Sequence, residues 1–435
     1  MEYDLSIMSE EDKKSLLKKL NAKRLPVLIV GIVGYLFLNV IRSSSGIILP
    51  TVIDKYGLTA AQAGLFIAIY NYFYAFVNLP IGGIIDVVKS RRIMLLSYGL
   101  MTAGLVAFAF APNFTWVIIT RAVMGLGAAG FFPAYSKAVA AWVSAKSHPT
   151  VIGIIMASST VGMLLSSTPL TLLILGVGMT KAMLVLAAIC LVVFGVMLFV
   201  IKDDPQSCGF PTEDEIRGNV VPKAEAAYKP SFKEIINVIT NPRVLCVICG
   251  VLCNNVAAVA GGYAATWMQK GLGFDAVVAS NVVMIGTLVG IISPLMTGFV
   301  TNKFGAKATQ YVFVIGSVVT LLLHCLFLEK HTPLTVILCN LPSVLGGGMA
   351  ISSTQTMLRK NVGPKYFGTC VGLYNFVGWC LAQAVYAQIF AGFIDANYSI
   401  QSFHKGYWIT LIIAVIFGII TLAGSTDKRL KGYED

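Results

Sequence analysis

The stretch 82–92 reads GGIIDVVKSRR and joins two long apolar runs. Each run is close to the length of a helix that crosses the ~30 Å hydrocarbon core of a membrane. Because basic residues collect on the cytoplasmic side of membrane proteins, Arg91 and Arg92 place this connection inside the cell. That rule does not explain Asp86, whose carboxylate can pair with a basic residue or a helix end in an inner gate, while Gly82 lets two helices approach closely. The stretch therefore predicts a gated hairpin of membrane helices.

The same sequence motif recurs in the second half of the chain. Gly298 and Asn302 follow another apolar run with the spacing of Gly82 and Asp86, 216 residues later. A motif repeated at a fixed offset together with its flanking runs indicates an internal duplication. We therefore expect two halves that carry the same series of membrane spans.

Apolar runs and the breaks between them predict twelve spans, because a chain of 435 residues with few loops has room for about a dozen. Spans 1 to 6 cover residues 25–52, 61–84, 93–111, 115–140, 151–175 and 180–201. Spans 7 to 12 cover residues 243–267, 276–300, 308–328, 333–357, 367–392 and 407–425. The predicted fold class is an all-α integral membrane protein with two pseudo-symmetric six-helix bundles.

The domain boundaries follow from the polar stretches outside these spans. They give a cytoplasmic segment 1–24, an N-terminal bundle 25–201, a linker 202–242, a C-terminal bundle 243–425 and a tail 426–435. Ser9 is a candidate helix cap, and the lysines after it suit a short helix lying on the cytoplasmic lipid surface. The basic loops alternate with poorly charged ones, which places both termini in the cytoplasm and the protein in the cell (inner) membrane.

Composition supports lipid as the main solvent of this chain. It is 57% hydrophobic and 12% charged, with a mean hydropathy of +0.79, more apolar than a water-soluble domain requires. The net charge of +12 sits at the ends of spans, not in one patch, so no nucleic acid partner is expected. No phosphate-binding loop or nucleophile–base pair is present, so an enzyme is not expected, nor is a cofactor or a metal site.

The stretch 82–92 resembles the loop signature of the major facilitator superfamily, although Val87 and Lys89 replace its usual arginine and later glycine. The run from Arg121 through the glycines 125, 127 and 130 to Pro133 resembles span 4 of the anion:cation symporter family. That resemblance implies a carrier of organic or inorganic anions. It also implies that the arginine of span 1, here Arg42, contacts the substrate.

Arg42 is the strongest candidate for a binding residue. It lies deep within span 1, where an ionisable side chain costs at least ~2.5–3.5 kcal/mol to insert. At ~100° per residue, Asn39, Arg42, Ser43 and Gly46 share one helix face, which forms a polar stripe. A guanidinium there can bind a carboxylate, sulfonate or phosphate at two points. The alternative is that Arg42 reaches the outer headgroups or pairs with Asp54.

Further candidates are polar or aromatic residues within spans. On span 11, Asn375, Trp379, Gln383 and Tyr386 fall on one side of an α-helical wheel, where they can bind substrate or join helices. The other predicted substrate-binding residues are Tyr70, Tyr74, Lys137, Asn255 and Tyr263. The predicted gating residues are Gly82, Asp86, Arg91, Arg92, Arg121, Gly298 and Asn302. His324 is expected to pack in span 9.

The sequence departs from proton-coupled members of the resembled family, which carry an acid before the span 1 arginine and a glutamate in span 4. These positions are Ile41 and Ala128 here, and no Asp or Glu lies in the middle of a predicted span. Coupling by a buried carboxylate is therefore in doubt, and a proton, a sodium ion or anion exchange all stay open as modes of coupling. The site should remain positive and favour an anion.

We therefore expect a monomeric secondary transporter, embedded in lipid, that moves a small organic anion by alternating access. One alternative is an efflux pump for amphipathic compounds, which would typically require an acidic cavity. A second is a transporter-like sensor, although the linker and tails are too short for a signalling domain.

Overall fold

The computed structural model describes residues 9–144, 147–218, 236–238, 240–330, 332–426, 428 and 430. The side chains of residues 79, 82, 83, 86, 87, 149, 294, 295, 298, 348, 351, 352 and 363–369 lie outside this description. The described part of the chain is helical with connecting turns. Its first half forms the helices Glu10–Tyr56, Ala60–Val87, Ser90–Ala109, Phe114–Trp142, His148–Leu165, Thr168–Val177 and Met179–Val200. Its second half forms the helices Pro242–Gly262, Ala264–Thr266, Ala276–Gly290, Ile292–Phe327, Pro333–Leu373, Ala382–Ala391 and Ile400–Gly424.

The predicted spans correspond to these helices. Among the described residues, ten helical segments are long and apolar enough to cross a membrane. Two shorter apolar helices, Ala276–Gly290 and Pro333–Gly347, occupy the positions of spans 8 and 10. The predicted all-α membrane fold is therefore confirmed.

Several boundaries differ from the prediction. The separate surface helix expected near the amino terminus is wrong, because the helix Glu10–Tyr56 runs unbroken into span 1 and buries Leu16 and Leu20 against protein. Ser9 does cap this helix, since its Oγ accepts from the Asp12 N–H at 3.2 Å. Spans 8 and 9 meet at Gly305, whose φ of 87° is the left-handed conformation that glycine tolerates best.

Helix starts follow from the local sequence. Asn113 accepts a hydrogen bond from the Trp116 N–H at 3.1 Å and so begins span 4. Span 7 begins at Asn241, which caps the helix ahead of Pro242. A side-chain acceptor satisfies amide groups that have no partner within the helix, and proline suits the first turn because it lacks an N–H.

The helices cluster into two compact units that do not follow chain order. Unit 1 contains Met1–Arg42, Phe76–Met163 and Val177–Ala227. Unit 2 contains Ser43–Ala75, Leu164–Gly176 and Tyr228–Asp435. Parts of spans 1, 2 and 5 that are outer in the predicted orientation thus group with the second half of the chain. The words inner and outer refer to that predicted orientation throughout.

Unit 1 is held by aromatic packing and by hydrogen bonds to main-chain carbonyls. Tyr135 on span 4 donates to the Leu28 carbonyl at 2.7 Å, and its ring lies 5.9 Å from Phe131. At the inner end of the same span, Trp142 donates to the Lys202 carbonyl at 3.2 Å. Such bonds join helices where lipid offers no hydrophobic driving force for association.

Unit 2 uses the same kind of contact between spans 7, 9 and 12. Gln310 donates through Nε2 to the Val247 carbonyl at 3.0 Å, and Thr421 donates to the Cys246 carbonyl at 3.0 Å. His324 lies buried with Nε2 3.2 Å from Asn340 Oδ1 and its ring edge-on to Trp267. The described contacts of His324 are thus those of a packed residue.

Candidate functional site

Arg42 lies near the middle of the first membrane helix. At 1.5 Å per residue it is about 27 Å from Arg24 and about 21 Å from the helix end at Tyr56. Tyr35, about 20° away on the helix wheel, packs its ring 5.2 Å from that of Phe132 in unit 1. Gly46, about 40° away in the same direction, contacts span 7 within unit 2. This helix face meets protein above and below Arg42, so it points away from lipid.

Asn39 occupies the side of span 1 that packs on span 5. Its Nδ2 donates to the Tyr35 carbonyl at 2.8 Å, and the residue is buried. A Cβ at Gly162 would lie 2.4 Å from the Leu36 carbonyl oxygen and 3.1 Å from the Asn39 Cβ. The structure therefore places Asn39, a member of the predicted polar stripe, in a helix–helix contact with span 5.

Tyr70 and Tyr74 stack on each other one turn apart in span 2. Their ring centroids are 6.1 Å apart and the rings are inclined by 17°. Tyr70 is buried, while Tyr74 is half-buried. These two residues form an aromatic pair in unit 2, in which Tyr74 keeps part of its surface accessible.

Span 7 and span 11 are joined by amide side chains. Asn255 is fully buried, and its Nδ2 donates to the Gly378 carbonyl. Gln383 donates through Nε2 to Asn255 Oδ1 at 3.0 Å. Gly378 belongs to a π-helical segment, Tyr374–Leu381. Segments of this kind interrupt the regular hydrogen bonding of a helix and are frequent at functional sites.

The π-helical segment divides the polar stripe predicted for span 11. A wheel drawn at ~100° per residue fails here because π-helical hydrogen bonds run from i to i+5. Asn375 is exposed, Trp379 and Gln383 are half-buried, and Tyr386 is buried with its hydroxyl donating to Thr410 of span 12. Tyr386 therefore joins helices, while the other three keep part of their surface accessible.

Tyr263 also joins helices. It is fully buried at the end of the helix Pro242–Gly262, and its hydroxyl donates to the Ala387 carbonyl at 3.0 Å. Its ring lies 5.0 Å from that of Phe390. These contacts fix span 7 against span 11 next to the amide network.

Lys137 lies at the inner end of span 4. Its ammonium donates to the Ile85 carbonyl at 2.8 Å. It lines a cavity of about 250 Å³ together with Ile85, Val88, Lys89, Ser90, Ala141, Asp203 and Asp204. The structure thus groups Lys137 with the inner loop of unit 1.

Asp203 lies at the centre of that inner loop region. Its Oδ1 accepts from the backbone N–H of Arg91 at 2.7 Å, at the start of span 3. The Arg91 guanidinium donates to the Leu198 carbonyl, also at 2.7 Å. A carboxylate at a helix N-terminus is stabilised by the helix dipole. The linker therefore begins by binding the predicted gating motif.

A second anchor of the linker is Glu213, which is 4% exposed. It accepts from Arg24 at 2.5 Å, from the Ser144 N–H at 3.2 Å and from Arg217 at 2.9 Å. Burial alone would raise the pKa of Glu213, but the bonds from Ser144, Arg217 and Arg24 lower it below its ordinary value. Residues 203–217, named here the inner clamp, thereby tie the ends of spans 1, 3 and 4 together.

Glu213→Gln is expected to weaken the inner clamp by about 1.5–3 kcal/mol, the range for a hydrogen bond to a charged group. Because the folded pKa of Glu213 is lowered, its contribution is present above the ordinary glutamate pKa of about 4.3 and is lost as pH falls through the lower folded value. Thermal unfolding at neutral pH should separate the variant from wild type, and the difference should shrink as the pH falls below the ordinary glutamate pKa. Exposed Glu11→Gln serves as the control. Equal stability of Glu213→Gln and wild type at neutral pH would contradict the clamp.

The remaining predicted gating residues are spread over several environments. The Arg121 side chain in span 4 is 2% exposed, and so complete a burial is rare for a charged residue in a membrane helix. Arg92 is exposed in the first turn of span 3, and Asn302 is exposed three residues before the break at Gly305. The side chains of Asp86, Gly82 and Gly298 lie outside the described part of the structure.

The outer ends of spans 1 and 7 meet within unit 2. The Asp54 carboxylate forms an ion pair with the Lys270 ammonium, so the alternative partner considered for Arg42 is engaged elsewhere. About two turns closer to the middle of each helix, the two backbones approach closely, and a Cβ at Gly46 would lie 2.6 Å from the Gly262 carbonyl oxygen. Tyr398 adds a bond to the Leu58 carbonyl at 2.8 Å. These contacts are named here the outer layer.

Sequence reasoning missed the roles of Asp203, Glu213 and Lys270. The first two lie in a stretch whose composition predicts a linker, and composition carries no signal of what a linker binds. Lys270 could have been found, because it is separated from Asp54 by 216 residues, the offset of the repeated loop motif.

Comparisons with known proteins agree with this architecture. The family model described as Major Facilitator Superfamily matches residues 31–387. The chain is 23% identical to the Glycerol-3-phosphate transporter of Bacillus subtilis (strain 168) over 94% of both proteins. It is 22% identical to the Probable sulfoacetate transporter SauU of Cupriavidus necator, over 42% of this chain and only 43% of that protein.

A solved structure supports the same fold. A bacterial homologue of the human lysosomal transporter Spinster, in an inward-facing and occupied conformation, superposes with a TM-score of 0.74 over 92% of this chain and 96% of that chain. The two sequences are 12% identical. The likeness therefore concerns the arrangement of helices.

Proposed function

The chain belongs to the major facilitator superfamily, and we propose that it moves a small organic anion across the membrane by alternating access. Arg42 binds the anionic group, a carboxylate, sulfonate or phosphate ester. Its family and relatives are transporters and not enzymes. The observation that carries the proposal is the depth of Arg42 on a protein-facing side of span 1.

Electrostatics favour an anion over other substrates. A guanidinium is always protonated in proteins, and in a region of low dielectric it attracts a negative ligand strongly. No Asp or Glu occupies the middle of a span, so the site has no acidic group to recruit a cationic drug. The names of the relatives, for sulfoacetate and glycerol 3-phosphate, point to the same ligand class.

The other candidate residues divide between the ligand and the gates. Tyr70, Tyr74, Asn375, Trp379 and Gln383 contact the uncharged part of the ligand, and Asn255 and Tyr263 hold spans 7 and 11 in place for them. The inner gate uses Asp86, Arg91 and Arg92 together with the clamp residue Asp203, and the equivalent Gly298 and Asn302 serve the second half.

The test is a panel of ligands added to the purified protein. Gluconate, sulfoacetate and glycerol 3-phosphate are compared with sorbitol, glycerol and choline, so that an anion of each kind is set against a neutral or cationic compound. A ligand at 100 times its dissociation constant should stabilise the protein by about 2.7 kcal/mol in thermal unfolding. We expect at least one anion to stabilise it and the uncharged analogues to have no effect.

Uptake into proteoliposomes then separates a carrier from a sensor. An anion that stabilises the protein should also be accumulated or exchanged by vesicles that contain it. Binding without uptake would favour the sensor alternative, and stabilisation by choline or sorbitol alone would overturn the anion proposal.

A further inference from the structure

The two copies of the repeated loop motif differ in charge. At the offset of 216 residues, Asp86 of the first copy corresponds to Asn302, and Arg91 corresponds to Lys307. The second copy also has Lys303 where the first copy has a valine. No carboxylate of spans 8 and 9 compensates for this change, because the sequence has no Asp or Glu from residue 276 to residue 328. The second copy has thus lost an acid and gained a base.

A described carboxylate approaches the first copy, whereas none is paired with the second. Asp203 Oδ1 accepts from the backbone N–H of Arg91 at 2.7 Å, within unit 1. In unit 2, none of the ion pairs between described residues involves Lys303 or Lys307. An anion from outside the chain can therefore balance the charges of these two lysines.

The fold places both lysines on one tight connection between spans 8 and 9. The helix breaks at Gly305, and beyond the break Thr309 Oγ1 lies 3.1 Å from Thr301 Oγ1. The segment between these two threonines, named here the lysine hairpin, carries Lys303 and Lys307 on either side of the break. Two like charges on so short a segment repel each other, and an anion shared between them relieves that repulsion.

Aromatic rings lie beside the two ammonium groups at the end of the apolar spans. The Lys303 ammonium is 5.6 Å from the ring centroid of Phe299 and 5.3 Å from that of Phe304. Both phenylalanines are exposed, by 61% and 59%. The Lys307 ammonium is 5.6 Å from the centroid of the Tyr311 ring. Exposed rings beside lysine side chains are typical of the membrane interface, where the apolar part stays in lipid and the charge reaches the headgroups.

The surface next to the lysine hairpin is apolar on the side of span 8. Ile292, Met296 and Phe299 follow one another at intervals of four and three residues, which puts them on one helix face. They are exposed by 47%, 42% and 61%. The tails of a lipid are as apolar as these side chains and can pack along them. The lysine hairpin thus combines a cationic tip with an apolar flank, which match the two parts of an anionic phospholipid.

We infer that the lysine hairpin binds an anionic phospholipid in the cytoplasmic leaflet of the predicted orientation. The lipid phosphate lies between Lys303 and Lys307, and the acyl chains follow the exposed face of span 8. A zwitterionic lipid binds less tightly, because its own cation meets the two lysines. A soluble anion also binds less tightly, because it has no acyl chains to pack on the apolar flank.

The test measures lipid binding to the purified protein in a neutral detergent. Phosphatidylglycerol and phosphatidylcholine with identical acyl chains are titrated, and native mass spectrometry gives the dissociation constant of each lipid. Glycerophosphoglycerol, the phosphatidylglycerol headgroup without its chains, is the third probe and separates a lipid site from a site for soluble phosphate. No transported substrate is present, so the result does not depend on the proposed function.

We expect wild type to bind phosphatidylglycerol at least tenfold more tightly than either other probe. Lys303→Gln combined with Lys307→Gln should weaken this binding about 25-fold, since each basic residue near an anionic lipid surface contributes about fivefold. The matched control combines Lys330→Gln with Lys405→Gln, which removes the same charge from exposed positions at the outer ends of spans 9 and 12. This control should bind the lipid as wild type does.

Asn302→Asp restores the acid of the first copy and tests the lysine hairpin by a near-isosteric change. A carboxylate next to the two lysines should weaken phosphatidylglycerol binding about fivefold. Equal affinity of the two double variants for phosphatidylglycerol would overturn the site, as would wild-type binding of phosphatidylcholine or of the free headgroup as tight as that of phosphatidylglycerol. The comparison of the three probes on wild type stands whether or not the variants fold.

Discussion

Arg42→Gln is expected to weaken substrate binding and uptake strongly while leaving the protein folded. Truncating one partner of a buried, hydrogen-bonded charge pair costs about 2–5 kcal/mol, which corresponds to a loss of affinity of about 30-fold to several thousandfold. The helix from Glu10 to Tyr56 has no other arginine or lysine between Arg24 and Lys55 that could take over. Dissociation constants from ligand-dependent thermal unfolding would measure this loss, with uptake into vesicles as the second readout.

Arg42→Lys separates charge from geometry. Lysine keeps the positive charge but lacks the planar fork that binds a carboxylate or sulfonate at two points, so an intermediate loss of about tenfold is expected. Lys181→Gln removes one positive charge from an exposed position at the start of span 6 and serves as the matched control. Full uptake by Arg42→Gln would show that the arginine is structural, and neutral substrates would then become the better hypothesis.

Gly46→Ala is expected to impair transport severely although it adds only one methyl group. The added Cβ would lie 2.6 Å from the Gly262 carbonyl oxygen, and main chain on that side cannot turn away as a flexible side chain can. Overpacking of this kind costs about 1–3 kcal/mol. The conformation in which the contacts of the outer layer are formed would therefore be populated about 5-fold to 150-fold less than in wild type. Initial uptake rates should fall by a comparable factor.

The equivalent glycine of the second half provides the control. A Cβ at Gly262 meets open space, and alanine is favoured over glycine within a helix by about 0.5–1 kcal/mol. Gly262→Ala should therefore unfold at the same temperature as wild type or slightly higher, and should transport normally. If Gly46→Ala were as active as Gly262→Ala, spans 1 and 7 would not need this close approach during transport.

The fold could be predicted because lipid imposes a simple rule on sequence. Apolar runs of span length and the asymmetric placement of lysine and arginine gave the twelve spans. The resemblance in the stretch 82–92 to the superfamily is confirmed by the family match over residues 31–387. Arg42 stands out as a candidate for a related reason, since a charge within an apolar run has few explanations other than function.

Details that depend on contacts between helices could not be predicted. The i to i+5 hydrogen bonding of Tyr374–Leu381 changes the direction of the side chains that follow, and Tyr386 contacts Thr410. The local sequence contains no pattern that predicts a π-helix. The inner clamp could not be predicted from the sequence for a different reason. Glu213 lies among other charged residues of a polar linker, and its burial results from where Arg24 and Ser144 are placed in space.

The ion pair of Asp54 and Lys270 also bears on how the two halves diverged. If the chain arose by duplication, an early form with identical halves carried the same residue at both positions, and that residue met its own copy in the contact that Asp54 and Lys270 now make. Two aspartates or two lysines there would have repelled each other, because like charges in contact are unfavourable. Opposite charges at the two equivalent positions require that each half mutated independently, which became possible after the duplication. The outer layer is therefore a place where the two copies became different by acquiring complementary mutations.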